Sequence, residues 1–150
     1  SDDVAIVLAD RDTTPARPVH VVHVSVGDAP PGSTGRTSPG RMDARPDAGS
    51  IAIAHPRTII HANARSDVAV IETFTGTGAA ITNAETTIRL GSDATVRHHR
   101  VQTESTDALH LGHTAVHLAR DARLRSTSIM VGGRHAGVPP PVPPARAELD

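Results

Sequence analysis

Ten histidines are the residues of this chain best suited to bind a metal ion or move a proton, and two of them are adjacent. His98 and His99 lie within "RLGSDATVRHHRVQ" (residues 89–102), a stretch typical of a β-strand. Successive side chains of a strand point to opposite faces, so the two imidazoles cannot bind one ion together. We therefore predict that this pair belongs to a repeating strand pattern and is not a metal site.

The other histidine clusters also lack the features of a metal site. His113 and His117 would share one face of a helix, as in some zinc sites, but residue 114 is Thr where the H-E-x-x-H motif requires Glu. On strands, His117 points outward, and we interpret this cluster as solvated histidines: His110, His113 and His117. A third pair is three residues apart and faces opposite sides of a predicted strand: His20 and His23.

Three aspartates could suggest calcium binding at turns: Asp67, Asp93 and Asp121. Calcium-binding β-rolls need a Gly-rich repeat of about nine residues, which the chain does not contain. We therefore interpret the three aspartates as turn residues, because Asp hydrogen-bonds its own backbone readily. Arg65 and Arg120 are expected to offset the stacked negative charge.

The remaining candidates do not form catalytic motifs either. Gly76-Thr77-Gly78 lacks the third glycine of a dinucleotide fingerprint and is predicted to be a turn. Ser126 and Ser128 lack the context of a nucleophile elbow. An outward set of arginines indicates a solvated face, with partner docking as the alternative: Arg97, Arg123 and Arg125. The sequence thus predicts no catalytic and no metal-ligating residue, and it identifies no cofactor-binding residue.

Composition excludes several functional classes. The chain of 150 residues has no cysteine, which excludes disulfides, cysteine nucleophiles and thiolate ligands within it. Its net charge of −1 provides no field that would attract nucleic acid or an anionic membrane, so we expect neither as a partner. No apolar run reaches the roughly 20 residues of a membrane-spanning helix. Because the start is acidic and unlike a signal peptide, we expect a cytoplasmic protein.

Short Val-rich runs predict strands at residues 4–9 (VAIVLA) and 19–26 (VHVVHVSV). Residues 113–125 read either as a helix or as two strands joined by a turn, and the repeat described next favours strands. The predicted organisation is entering strands, a flexible loop or insertion with almost no apolar content, a region of β-helix coils, and a disordered Pro-rich tail: residues 1–26, 27–50, 51–133 and 134–150.

The strand region contains a repeat marked by the three aspartates, which are 26 and 28 residues apart. When the segments are aligned on them, the positions five and three before and one and three after each Asp are all apolar. These twelve are Ala62, Ile88, Val116, Ala64, Leu90, Leu118, Val68, Ala94, Ala122, Val70, Val96 and Leu124. The intervening positions are mostly polar, so the alternation has a period of two. Such a repeat predicts an all-β fold, a right-handed parallel β-helix that is truncated; a β-sandwich of evenly spaced hairpins is the alternative.

Several phrases resemble one known family. "HPRTIIHANARSDVAVIETFTG" (55–76), "TNAETTIRLGSDATVRHHRVQTES" (82–105) and "HLGHTAVHLARDARLRSTSIMVGGR" (110–134) are similar to the central β-helix of the SUF-system scaffold proteins, closer to SufD than to SufB. "RPVHVVHVSVG" (17–27) is similar to the strand that enters that region. The resemblance covers the β-helix portion only, because the helical N-terminal and C-terminal regions of the family are not matched.

The resemblance implies a non-catalytic scaffold. In the family, SufD pairs with SufB through their β-helices and acts with the ATPase SufC, and the complex assembles iron–sulfur clusters. It therefore implies SufB-like and SufC-like partners, with the cluster on the partner complex and no cofactor bound by this chain. An uncapped end of the β-helix also favours self-association through the open edge.

Two other functions stay open at this stage. A carbohydrate-active β-helix enzyme would use a surface groove, but such enzymes usually need aromatic platforms, and the chain has one Phe and no Trp or Tyr. The other alternative is a structural remnant without activity.

Overall fold

The computed structural model describes residues 2–27, 51–132 and 134–135, the last two for their backbone only. The predicted loop of residues 27–50, apart from Gly27, and the predicted Pro-rich tail beyond His135 lie outside the described residues. Every regular element within the described ranges is a β-strand, which confirms the all-β class. None of these residues forms a helix long and apolar enough to cross a membrane.

Ten strands follow one another along the described chain: β1 Val4–Ala9, β2 Val19–Val26, β3 Ala52–Ala54, β4 Arg57–Ala62, β5 Asp67–Thr77, β6 Ala80–Leu90, β7 Thr95–Thr103, β8 Leu109–Leu118, β9 Arg123–Met130 and β10 Arg134–His135. The two strands predicted near the N-terminus are confirmed as β1 and β2. The segment 113–125 divides between β8 and β9, so the strand interpretation is right and the helix alternative is wrong. The last strand, β10, begins inside the predicted tail.

The strands form two sheets, and the chain alternates between them. The first sheet has the order β1-β4-β6-β8-β10, with β3 also paired to β6, and the second has the order β2-β5-β7-β9. All eight strand pairings are parallel. Because hairpins pair their strands antiparallel, the β-sandwich alternative is wrong for the described chain.

The lateral register is 28 residues at every step after β4. Ile60 lies beside Ile88, and Ile88 beside Val116, in the first sheet. In the second sheet, Val96 lies between two partners of its own kind: Val68 and Leu124. Residues 28 apart therefore form columns that run across each sheet.

The predicted alignment on three aspartates is wrong by two residues at its first member. Asp67 opens β5, lies beside Thr95 and pairs with Arg97 at 2.8 Å, so it is not a turn residue. The turn position that matches Asp93 and Asp121 is Arg65. It has the same left-handed backbone, with φ between 58° and 60° at all four equivalent residues: Asp12, Arg65, Asp93 and Asp121.

The inward and outward assignments survive this correction because a shift of two residues keeps a side chain on the same face of its strand. None of the twelve predicted apolar positions is exposed, and seven of them are buried. Val70, Val96 and Leu124 belong to one hydrophobic cluster, although the lateral partner of Val70 is His98. The two sheets thus face each other across an apolar interior that also includes Ile60 and Ile88.

One predicted turn is shifted as well. β5 continues through Gly76 and Thr77, and the chain turns at Gly78, which has a φ of 74°. Gly76 is required inside the strand, because a Cβ there would lie 2.3 Å from the backbone oxygen of Ser25 on the neighbouring β2. The turn predicted at Gly91-Ser92-Asp93 is present between β6 and β7.

Candidate functional site

The interior between the sheets contains a carboxylate, Glu72, that is entirely buried. It follows Val68 and Val70 at the inward positions of β5, so the alternation of that strand brings it into the core. Both sheets donate hydrogen bonds to its oxygens: Thr58 at 2.5 Å, Thr86 at 3.1 Å, His98 at 3.1 Å and Arg100 at 3.4 Å. His23 Nε2 lies 3.5 Å from the same carboxylate.

This environment keeps Glu72 ionised. Burial by itself would raise the pKa of the Glu72 carboxyl, because a low-dielectric interior disfavours charge. The hydrogen bonds from His23, His98 and Thr58 and the charge of Arg100 outweigh burial, and they hold the pKa well below its ordinary value. The core of this region is therefore built around a fixed negative charge.

A second buried carboxylate, Glu104, lies directly after β7. Thr82 donates to it at 2.6 Å, Gln102 at 3.0 Å and His110 Nδ1 at 2.8 Å. Burial opposes ionisation here too, but the hydrogen bonds from His110 and Thr82 lower the pKa of Glu104 below its ordinary value. Each acidic side chain in the interior is thus matched by donors on neighbouring strands.

Phe74 lies between the two carboxylate clusters and connects them. His23 stacks on its ring and His110 meets it edge-on, each with centroids 4.8 Å apart, and the guanidinium carbon of Arg100 lies 5.4 Å from its centroid. We call this assembly the polar network: His23, Thr58, Glu72, Phe74, Thr82, Thr86, His98, Arg100, Gln102, Glu104 and His110.

The chemistry of the polar network favours a structural role. The oxygens of both carboxylates already accept hydrogen bonds, so neither is free to take a proton from a substrate as a general base would. Within residues 2–27 and 51–132, no group of three or more His, Asp or Glu residues is arranged to hold a metal ion. A buried ionic network of this kind specifies which strands lie side by side, because a misplaced strand would leave a charge unpaired.

A small cavity opens beside the network near β2. It has a volume of about 140 Å³, and its lining includes Ser25, Phe74, Thr82 and Glu104. The Ser25 hydroxyl is buried without a hydrogen-bond partner among the described residues. The cavity has room for about four water molecules at the roughly 30 Å³ that each occupies in the liquid.

The predicted histidine pair is split as expected. His98 points inward and is 1% exposed, whereas His99 lies on the outer face of β7. His98 also bonds Ser126 at 3.2 Å, its predicted column neighbour. The other predicted neighbour, Glu72, lies beside Arg100 in the ladder and reaches His98 diagonally.

His110 is the histidine whose predicted environment is wrong. It was expected to be solvated with His113 and His117, and those two are exposed on the outer face of β8. His110 occupies an inward position of β8, is 6% exposed and bonds Glu104. His20 is exposed and His23 half-buried, on opposite faces of β2 as expected.

The predicted arginine set points outward. Arg97, Arg123 and Arg125 are exposed on the outer face of the second sheet. Arg97 is neutralised by Asp67. Nothing among the described residues brings these arginines to a shared site with the polar network.

The second sheet ends at β9, which has no neighbour on its outer side among the described strands. Ser126 and Ser128, at inward positions of β9, are exposed there. Ile129, Met130 and Val131 are also exposed, from 45% to 73%. This edge combines open backbone hydrogen-bonding groups with apolar side chains, which are the features of a strand-pairing surface.

Sequence reasoning missed the acidic members of the network. Glu72, Arg100 and Glu104 were not identified, although each has the inward parity of a buried residue. A charged side chain at an inward position was the signal that could have found them, since Glu and Arg are almost never buried unless paired.

Comparison with known families gives one match. The family described as "SUF system FeS cluster assembly, SufBD core domain" matches residues 44–142, which is 99 of the 150 residues. No curated protein and no solved structure matches the chain.

Proposed function

The chain belongs to the SufBD core family of the SUF system, and from this membership we propose that it is a non-catalytic scaffold segment in iron–sulfur cluster assembly. The family match over residues 44–142 is the observation that carries the proposal. The saturated carboxylates of the polar network agree with a structural rather than a catalytic use of the interior.

We further propose that the two sheets are walls of a right-handed parallel β-helix. The uniform step of 28 residues, the parallel pairing and the alternation of the chain between sheets support this architecture. Right-handed crossovers are the rule for parallel strands in one sheet. A β-helix presents a rigid, regular edge, which suits a protein that holds others in position.

Within the family we propose a SufD-like member. The phrases at residues 55–76, 82–105 and 110–134 support it, since they resemble SufD more than SufB. The proposed partners are a SufB-like protein, which would bind at the β-helix, and a SufC-like ATPase within the same complex. The cluster is then cargo of the partner complex, in keeping with a chain that has no cysteine. Such a complex acts in the cytoplasm, and we propose that location.

The open edge of β9 is the surface that we assign to the SufB-like partner. The backbone N–H groups of Arg123 and Val131 donate to carbonyls on the side of β7. Because successive N–H groups of a strand point to opposite sides, those of Ser126 and Ser128 face the free edge. A partner strand would hydrogen-bond to these groups.

The test is co-purification of the chain with SufB-like and SufC-like proteins. Ser128→Pro removes one edge N–H and leaves the bonds to β7 intact, so we expect it to weaken the complex at least tenfold. Ser128→Ala keeps the N–H and is the matched control, expected to bind normally.

Failure of the unmodified chain to join these partners would favour the structural remnant instead. Equal binding by the proline and alanine variants would remove the β9 edge from the interface. Depolymerisation of an acidic polysaccharide by the chain would overturn the non-catalytic assignment.

A further inference from the structure

The outer face of the first sheet carries a row of cationic and hydrogen-bond-donating side chains that the scaffold function does not use. His61 on β4 lies beside Arg89 on β6, and Arg89 lies beside His117 on β8. All three are exposed, and neighbouring strands are about 4.8 Å apart, so the row spans roughly 10 Å. We call this row the Arg89 ladder.

The Arg89 ladder lines a shallow groove of about 420 Å³, and no acidic residue contributes to the lining. Gly91 forms part of the groove wall and leaves it open beside Arg89. Within the described ranges, Arg89 makes no ion pair, whereas most arginines with a role in the fold do. The acids of the adjoining turns include Asp12 and Asp121, and these already pair with Arg65 and Arg120.

A second row on the same three strands shows what a neutralised ladder looks like. Arg57, Glu85 and His113 lie side by side four residues before the Arg89 ladder, and Arg57 Nε is 3.4 Å from Glu85. This row lines a groove of about 590 Å³ that also includes Asp2. The two rows have an arginine and a histidine in common, but only the Arg89 ladder lacks a carboxylate.

We propose that the Arg89 ladder binds a phosphate group. A guanidinium presents a planar fork of N–H donors that matches two oxygens of a phosphate, and an imidazole on each side offers another N–H. The spacing of three donors across the strands suits a phosphate, free or at the end of a nucleotide. This site is independent of the β9 edge and goes beyond the proposed scaffold function.

The experiment is titration of the full chain with inorganic phosphate at about 150 mM NaCl, a salt concentration that screens nonspecific attraction. Binding is followed by NMR of the histidine rings. We expect the signals of His61 and His117 to move and those of His55 and His113 to stay. A second titration with ADP identifies the source of the phosphate: tighter binding of ADP than of phosphate assigns the site to a nucleotide, and equal binding assigns it to free phosphate.

Three variants test the role of the arginine. Arg89→Gln is expected to weaken phosphate binding at least tenfold, and Arg89→Lys to weaken it less, because Lys keeps the charge but loses the fork. Arg57→Gln is the matched control and is expected to leave binding unchanged. Since all these side chains are exposed, the variants should fold normally, which circular dichroism checks.

Two results would overturn the proposal. One is that phosphate moves none of the histidine signals, or moves those of His113 as much as those of His117. The other is that Arg89→Gln and Arg57→Gln weaken binding equally.

Discussion

The two halves of the interior are built on different physical terms although they share the same strands. Near the turns at Arg65 and Asp93, the sheets meet through apolar side chains such as Ile60, Ile88 and Val96, which are stabilised by removal from water. Further along β5 and β7 the same inward positions hold Glu72, His98 and Glu104.

The difference teaches how a chain with one aromatic residue specifies its register. Apolar contacts tolerate exchange of one aliphatic neighbour for another, so a shift of two residues would cost the apolar half little. The polar half does not tolerate it, because Glu72 would lose its donors and stay buried. We infer that the apolar half supplies stability and that the polar network selects the 28-residue register.

The largest effect is expected from removal of the central charge. Glu72→Ala leaves Arg100 and His98 facing each other without their carboxylate, and we expect the free energy of unfolding to fall by about 4 kcal/mol. Urea denaturation followed by circular dichroism measures it. Glu85→Ala removes an exposed carboxylate of the neighbouring sheet and should change the value by less than about 0.5 kcal/mol. A similar, small effect of both changes would show that the polar network does not select the register.

A somewhat smaller loss is expected from the apolar half. Ile88→Ala opens a cavity at a residue that is entirely buried, and we expect a loss of about 3 kcal/mol. Ile6→Ala, at an exposed residue of β1, is the control and should be nearly neutral. If Ile88→Ala were as mild as its control, the interior assigned to the apolar half would not exist.

The pH dependence separates the halves next. Because the pKa of Glu104 is lowered from 4.5 in the folded protein, its contribution to stability is present above that value and is lost as the pH falls below it. The difference in unfolding free energy between the unmodified chain and Glu104→Gln should therefore narrow between pH 5 and pH 3. The corresponding difference for Ile88→Ala should stay constant over the same range. A constant Glu104→Gln difference would contradict the ionised state of this carboxyl.

The smallest effect is expected at the turns that join the halves of successive layers. Asp93 has a φ of 59°, which a β-branched residue adopts only with strain. Asp93→Val should lower the unfolding free energy by about 1–2 kcal/mol, whereas Asp93→Gly should change it by less than about 0.5 kcal/mol. Thermal unfolding of both variants measures the contrast. Equal effects would show that the left-handed backbone is not required there.

The sequence was informative where a single strand determines the outcome. Alternation within β5 and β7 predicted which face each side chain occupies, and it separated His98 from His99. This works because the period of two is a local property of the strand.

Register and buried pairing could not be predicted in the same way. The aspartates suggested that Asp67 and Asp93 are equivalent, but the turn position is defined by its backbone conformation, and Arg65 adopts that conformation as well. His110 was predicted to be solvated because its partner Glu104 comes from another strand. The value of such a side chain depends on neighbours that only the folded arrangement supplies.

The 28-residue register is the claim on which both halves depend, and through-space NMR contacts between methyl groups test it most directly. The account predicts contacts of Val68 with Val96, of Val96 with Leu124 and of Ile60 with Ile88. Absence of these contacts, together with contacts that join residues 26 apart, would contradict it.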